Sequence, residues 1–183
     1  TVQSARVARA RDRAEQALRR AEAVNRFLVG MFQQADPRFA LGASLTAEQM
    51  LERASKKLET DLREQPDVRA DLLFALGGVY KQLGRYDLAE PLHVDAATLL
   101  RSLDTPRQLA EVLDQLGDVR RLQGNLPGAL ASLEEALALR ARTLGTRNYD
   151  YAESLNNLGL VLYAQGRYAE AERIQRESVA TWE

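Results

Sequence analysis

An all-α fold, a right-handed superhelical solenoid of antiparallel helix pairs behind a long N-terminal helix, is what this sequence predicts. Three observations carry the prediction. A pattern returns at a period of 40 to 42 residues, as FALGGVYKQLGRYDLA around Gly77, DQLGDVRRLQGNLPGA around Gly117 and LNNLGLVLYAQGRYAEA around Gly159. A fixed period of that length marks stacked units, none of which can bury its apolar face alone. Within each copy the apolar residues recur at helical spacing, and each copy carries a glycine, Gly84, Gly124 or Gly166, just past the last periodic residue, where a helix closes.

Residues 1 to 34 hold no proline and one glycine and are rich in Ala, Arg, Glu and Leu, the composition of a long helix. Val7, Ala10, Ala14, Ala17, Ala21, Val24, Leu28 and Met31 alternate spacings of three and four, which makes a seam. Two readings follow: a short parallel coiled coil that pairs two copies of the chain, or a helix whose larger end, Val24 to Phe32, packs on the first repeat. Asp36-Pro37 ends the helix, because the residue before proline is pushed out of the helical region. Residues 38–45 read as a loop. Thr46 stands three before Gln49, a capping-box spacing, and opens a helix running to about residue 64, the second half of a degenerate first repeat (46–64).

From Asp67 the repeats are regular, at 67–104, 106–145 and 148–183 within a solenoid of 35–183. Leu73, Leu76 and Tyr80 line one stripe of a first helix, as do Leu113 and Leu116, then Leu155, Leu158 and Leu162. Gly77, Gly117 and Gly159 fall on those stripes and are expected to face Ala89, Ala129 and Ala171, small against small. Helix starts are marked by Asp87, by Asn125 with Pro127, and by Thr105-Pro106. A tight turn is expected within each pair, and a longer connection between pairs.

Composition narrows the function. With 25 basic and 26 acidic residues there is no bulk attraction to nucleic acid or to an anionic membrane. The chain has no cysteine, so disulfides and thiolate metal sites are excluded. Its longest apolar runs fall short of the ~20 residues that span a bilayer, and a soluble fragment is expected. The lack of terminal capping signals implies a piece of something longer.

These residues resemble the tetratricopeptide repeat, whose L-G-x2-Y pattern reads here as Leu76-Gly77-Val79-Tyr80 with Ala89 following. The period, Ser154-Leu155-Asn156-Asn157-Leu158-Gly159 and Gln165-Gly166-Arg167-Tyr168-Ala169-Glu170-Ala171-Glu172 are similar to its kinesin-light-chain-like subclass. There are departures. Arg120 replaces the aromatic of the first helix, His93 and Gln175 hold the large-residue position of the second, and Ser178 stands for its last alanine, so a looser middle pair is expected. A second resemblance concerns the front: Arg11-Asp12-Arg13-Ala14-Glu15, then residues 21–32 and Ala35-Asp36-Pro37, look like the segment after the single membrane span of bacterial receptor-type serine/threonine protein kinases. That resemblance implies a C-terminal, extracytoplasmic (periplasmic) region adjacent to a membrane span, with the kinase domain elsewhere. The alternative is a cytoplasmic scaffold or regulator arm, because a flank with Arg6, Arg9, Arg11, Arg13, Arg19 and Arg20 normally stays in the cytoplasm.

Nothing assembles into a catalytic constellation, and a non-catalytic fragment with no cofactor and no metal is expected. His93, the single histidine, reads as a packed helix residue. Gly77-Gly78 lies mid-helix, where it cannot cradle phosphate, and the kinase signatures are absent. The repeat resemblance instead implies a groove lined by the first helices, for a protein or peptide ligand. Position by position it would hold Asp71, Phe74, Gly78 and Lys81; Glu111, Asp114, Asp118 and Arg121; Glu153, Asn156, Leu160 and Tyr163. With carboxylates in the middle and apolar flanks, a peptide bearing basic and apolar side chains suits it best; the other reading is a solvated face. Homodimers through residues 1–34 or through an open C-terminal end, where Trp182 would be partly exposed, complete the expected partners.

Overall fold

The computed structural model describes residues 46–182 and, ahead of them, residues 7, 11, 15, 18, 19, 21–25 and 29, all of which are helical. Along the front seam Val7 is exposed and Ala21 is exposed, while Val24 is half-buried. The remaining seam positions, Asp36-Pro37 and its loop, and the side chain of Trp182 lie outside the described residues. No strand occurs among the described residues. The all-α class is as the periodicity requires.

Seven helices follow: α1 (Ala47–Asp61), α2 (Pro66–Gln82), α3 (Tyr86–Ser102), α4 (Pro106–Leu122), α5 (Leu126–Leu144), α6 (Tyr149–Ala164) and α7 (Tyr168–Trp182). The chain forms two compact units, 1–72 and 73–183, a division that falls within α2. In the first, α1 starts at a capping box: Gln49 N–H donates to Thr46 Oγ1 at 3.2 Å and Thr46 N–H donates to Gln49 Oε1 at 3.0 Å. Ala54, Leu58 and Leu62, four residues apart, bury one face of α1 and its end, and Val68, Ala70 and Leu72 are buried at the start of α2.

In the second unit the helices end as the glycines direct. Gly84, Gly124 and Gly166 have φ of 71°, 82° and 77°, and the next residue's N–H reaches back to Tyr80, Arg120 and Leu162 carbonyls at 2.9, 2.8 and 3.0 Å. These left-handed closures satisfy carbonyls that the helix leaves orphaned. At the end of α3 Asp104 does the same at φ 50°, although it carries a side chain. Asn125 caps α5 through Gly128 N–H and Pro106 opens α4, but Thr105 makes no side-chain cap bond. Asp87 is inside the first turn of α3, where it pairs with Arg85 instead of capping.

Two expectations need correction. The connections between pairs, residues 103–105 and 145–148, are about as short as the turns within pairs, because the residues beyond a 34-residue repeat lie in helices of 16 to 19 residues. The stripe glycines also meet first not the alanines but larger side chains. A Cβ on Gly77 would meet the His93 ring at 2.6 Å, one on Gly117 the Leu133 Cγ at 2.6 Å, and one on Gly159 the Gln175 Nε2 at 2.6 Å. Each glycine is a notch for the large side chain one helical turn beyond the alanine. Leu133 and Leu137 of α5, Leu155, Leu158 and Leu162 of α6, and Ile174 of α7 then form one continuous core.

Candidate protein-binding groove

First helices α4 and α6 touch directly, and what joins them is polar. Asp114 is only 1% exposed. Its Oδ1 accepts from Ser154 Oγ at 2.7 Å and its Oδ2 from Asn157 Nδ2 at 2.8 Å. The guanidinium of Arg140, itself 5% exposed, donates to Ser154 Oγ at 2.7 Å and to the Asp150 carbonyl, and stands 3.8 Å from Asp114. Burial pushes the Asp114 carboxyl up, against the opposing pull of Ser154, Arg140 and Asn157. Asp114 is therefore not the solvent-facing groove residue that the repeat register implies. It is the acceptor that ties three helices together, and a ligand does not reach it.

Sequence reasoning missed Arg140, Ser154 and Asn157. A signal existed for Arg140: the stripe Ala129, Leu133, Ala136 continues at the same three-and-four spacing onto Arg140, so a core position carries a charge that needs a buried partner. Only Asp114 supplies one.

Asp118 also turns to its neighbours. Lys81 Nζ reaches it at 2.9 Å and Arg121 at 2.6 Å, and Lys81 donates to Gln115 Oε1 at 2.8 Å as well. Burial tends to raise the Asp118 carboxyl, but the bonds from Lys81 and Arg121 outweigh it and hold the group below its ordinary value. Lys81, Asp118 and Arg121 stand together and neutralise each other across α2 and α4.

What remains open lies beside them. A cleft of about 390 Å³ has Glu111, Asp150 and Glu153 on its walls with Arg107 and Arg140. Glu111 and Asp150 make no ion pair among the described residues, and Arg140 stands 3.9 Å from Glu153 while committed to Asp114. Burial, then the negative charge of Asp114, pushes the Glu153 carboxyl up. Farther along α6, Asn156 is exposed, Leu160 is 42% exposed and Tyr163 is 65% exposed. Tyr163 meets Tyr168 edge to face with ring centroids 5.0 Å apart. Phe74 is half-buried against the His93 ring at 5.6 Å, and Gly78 is half-buried beside it with open space where a Cβ would stand. Asp71 is half-buried and belongs to the first unit.

The middle pair is not loosened by Arg120. Its Nε pairs with Glu90 at 2.8 Å and its Nη1 donates to Ser132 Oγ at 2.9 Å, so a cation replaces the aromatic by linking α3, α4 and α5. Ser178, in the place of an alanine, is buried and donates to the Ala152 carbonyl at 2.7 Å. Among the described residues no group of three or more His, Asp or Glu side chains is placed to hold a metal ion.

Paired helices with glycine notches, tight left-handed closures and a polar row on the first helices define a helical-repeat protein of the kind that scaffolds protein–protein interaction. The tetratricopeptide repeat family model matches residues 68–140 and again residues 108–183, and the chain belongs to that family. By structure it is similar to BtubC (BKLC) from P. vanneervenii, with 24% identity and a TM-score of 0.61 over 72% of this chain. The chain spans 56% of the length of BtubC. It is also similar to a putative kinesin light chain of nearly identical TPR-like repeats from Podosopora anserina, with 18% identity and a TM-score of 0.59 over 92% of this chain and 90% of that one. No curated protein matches the chain by sequence.

Proposed function

We propose that the chain is a non-catalytic module that binds a protein or peptide partner on the open face of α4 and α6, and that it serves as the sensory or scaffolding region of a bacterial membrane serine/threonine kinase. The observation that carries the binding reading is the row Glu111, Glu153, Asn156, Leu160 and Tyr163, exposed except for the half-buried Glu153, on helices whose other sides are buried in the core. A merely solvated face gives no reason for a leucine and a tyrosine to stand together in water on one side of a helix.

The kinase context rests on the sequence of residues 11–15, 21–32 and 35–37, and with it an extracytoplasmic location. No helix among the described residues is long and apolar enough to cross a membrane, so in this reading the span belongs to a preceding segment. Ligand binding or self-association through residues 1–34 or the last helix would then set the spacing of two kinase domains. The six arginines among residues 6 to 20 favour the second reading, a cytoplasmic scaffold or regulator arm.

A compartment-sensitive reporter fused after Glu183 in the full-length protein separates the two. Signal only in the cytoplasm removes the receptor reading, and signal only outside removes the scaffold reading. Mass in solution with and without residues 1–20 tests pairing, and a monomer in both cases at high concentration removes that part. The binding reading is tested by capture of a partner with the intact groove and with Glu153→Lys/Tyr163→Ser; equal capture would count against it.

A further inference from the structure

We infer that the groove takes an extended peptide in which a basic side chain and an aromatic or large aliphatic side chain stand four residues apart, the base between Glu111 and Glu153 and the apolar group on Leu160 and Tyr163. This rests on the groove reading above and specifies the ligand.

Arg140 lends the cleft mouth little of its charge. Its guanidinium is turned inward to Ser154, to the Asp150 carbonyl and to Asp114, so its charge is consumed before it reaches the cleft mouth. Arg107, the other cation of the cleft, is exposed and donates to the Thr143 carbonyl at 3.5 Å. Three carboxylates, Glu111, Asp150 and Glu153, thus face the cleft mouth with Arg107, while Asp114 and Arg140 offset each other beneath them. An arriving guanidinium or ammonium relieves the repulsion among them, and an arriving carboxylate adds to it. Burial first, and the neighbouring charge of Asp114 second, raise the Glu153 carboxyl.

The apolar end is separate. Leu160 and Tyr163 are three residues apart on one exposed side of α6, and Tyr168 supports the Tyr163 ring from the edge. An aromatic or large aliphatic side chain laid there covers exposed carbon and leaves the tyrosine hydroxyl at the rim.

Spacing then follows from helix and strand geometry. Leu160 and Tyr163 lie seven and ten residues beyond Glu153, which at ~1.5 Å per residue is about 10 to 15 Å along α6. An extended peptide advances about 3.3 Å per residue and returns to the same face every second residue. Four residues cover about 13 Å and keep both side chains on one face; three or five put them on opposite faces.

The test uses fluorescein-labelled ten-residue peptides of Ala, Ser and Thr carrying one Arg and one Phe at i and i+4, in both orders, titrated with the full chain by anisotropy. Controls carry Glu for Arg, Ala for Phe, or the pair at i and i+1. The expected result is that one order binds roughly tenfold tighter than every control, that Glu111→Gln/Glu153→Gln weakens the Arg peptide about fivefold and does not weaken the Glu peptide, and that Tyr163→Ser weakens every Phe peptide. Equal affinity for the Arg and Glu peptides, or indifference to spacing, overturns the inference. If the Glu peptide binds best and Tyr163→Ser still weakens it, the ligand class falls while the groove stands. If no groove substitution alters any affinity, or nothing binds up to about 1 mM, both fall. Melting curves on both variants confirm that each is folded.

Discussion

His93 occupies the notch that Gly77 leaves in α2: a Cβ at Gly77 would stand 2.6 Å from its Cε1, and the imidazole is 0% exposed with neither ring nitrogen hydrogen-bonded among the described residues. Phe74 lies against one side of the ring, and Lys81, also from α2, is the charged group that acts on it. Burial first and the Lys81 cation second lower its pKa from 6.5 to about 4. The native state therefore holds the neutral ring, while the unfolded chain takes up a proton as the pH drops below 6.5. Stability that is fully present above pH 6.5 is lost as the pH falls towards 4, by about 2 to 3 kcal/mol at pH 4.5. Replacing His93 by Leu, the residue at the matching notch of the next repeat, removes that loss. Urea melts of both proteins at pH 7.5 and 4.5 check it: the variant should fall less than the parent by about that amount, and an equal fall would sink the assignment.

The notches also predict two opposite outcomes for one substitution. At Gly117 a methyl group meets Leu133 at 2.6 Å from Cγ, the branch point of a side chain that is 0% exposed in the core. Leu133 cannot move without displacing its neighbours, so Gly117→Ala should cost about 1 to 3 kcal/mol. At Gly159 the nearest atom is the amide nitrogen of Gln175, the far end of a flexible and only half-buried side chain. Gly159→Ala should be near neutral or should stabilise by up to about 1 kcal/mol through helix propensity. Thermal melts of the pair give the comparison, and a similar loss in both would show that the notches are equivalent.

Asp104 closes α3 at φ 50°, the place that Gly84, Gly124 and Gly166 hold elsewhere. Its bond geometry is longer to match, with Thr105 N–H at 3.2 Å from the Leu100 carbonyl. A side chain in the left-handed region costs energy that glycine avoids, though Asp bears it better than most. Asp104→Gly should raise stability by about 0.5 to 1 kcal/mol, since the relief exceeds the added freedom of the unfolded chain. A lower melting temperature would mean that the exposed carboxylate contributes something that its hydrogen bonds do not reveal.

Much of the fold was legible because its signals are local. Gly84, Gly124 and Gly166 stop helices by their own backbone freedom, and Thr46 with Gln49 fixes a helix start through two bonds inside four residues. The glycine partners were not legible. Whether Gly77 faces Ala89 or His93 depends on one turn of sliding between α2 and α3, and both offsets fit the same spacing. Groove membership was half legible for a related reason. Register puts Asp114, Asp118, Glu111 and Glu153 on related faces, but which carboxylates stay open is decided by cations that arrive from elsewhere: Lys81 from another helix, and Arg140 from a second helix whose apolar stripe it ends. Short connections were missed because helix length and loop length trade off within one period.

Asp114 and Arg140 give the sharpest test of how α4, α5 and α6 are held. Both are buried, and the charged form of Asp114 is disfavoured by burial even with Ser154, Arg140 and Asn157 around it. Because its folded pKa is raised, this group gains stability as the pH falls, opposite in sense to His93. A buried pair of this kind is poor evidence for net stability, whereas breaking it leaves an uncompensated charge. Asp114→Leu alone should cost about 3 to 5 kcal/mol, because Arg140 then keeps Ser154, the Asp150 carbonyl and only the long approach to Glu153 at 3.9 Å. Asp114→Leu with Arg140→Met should recover most of that loss: both charges are gone, and Ser154, released from Asp114, lies one helical turn after Asp150 and can donate to its carbonyl. The double-mutant cycle measures the coupling by urea denaturation. Simple addition of the two single losses would mean that the pair does not act as a unit, and that Ser154 and Asn157 alone connect α4 to α6.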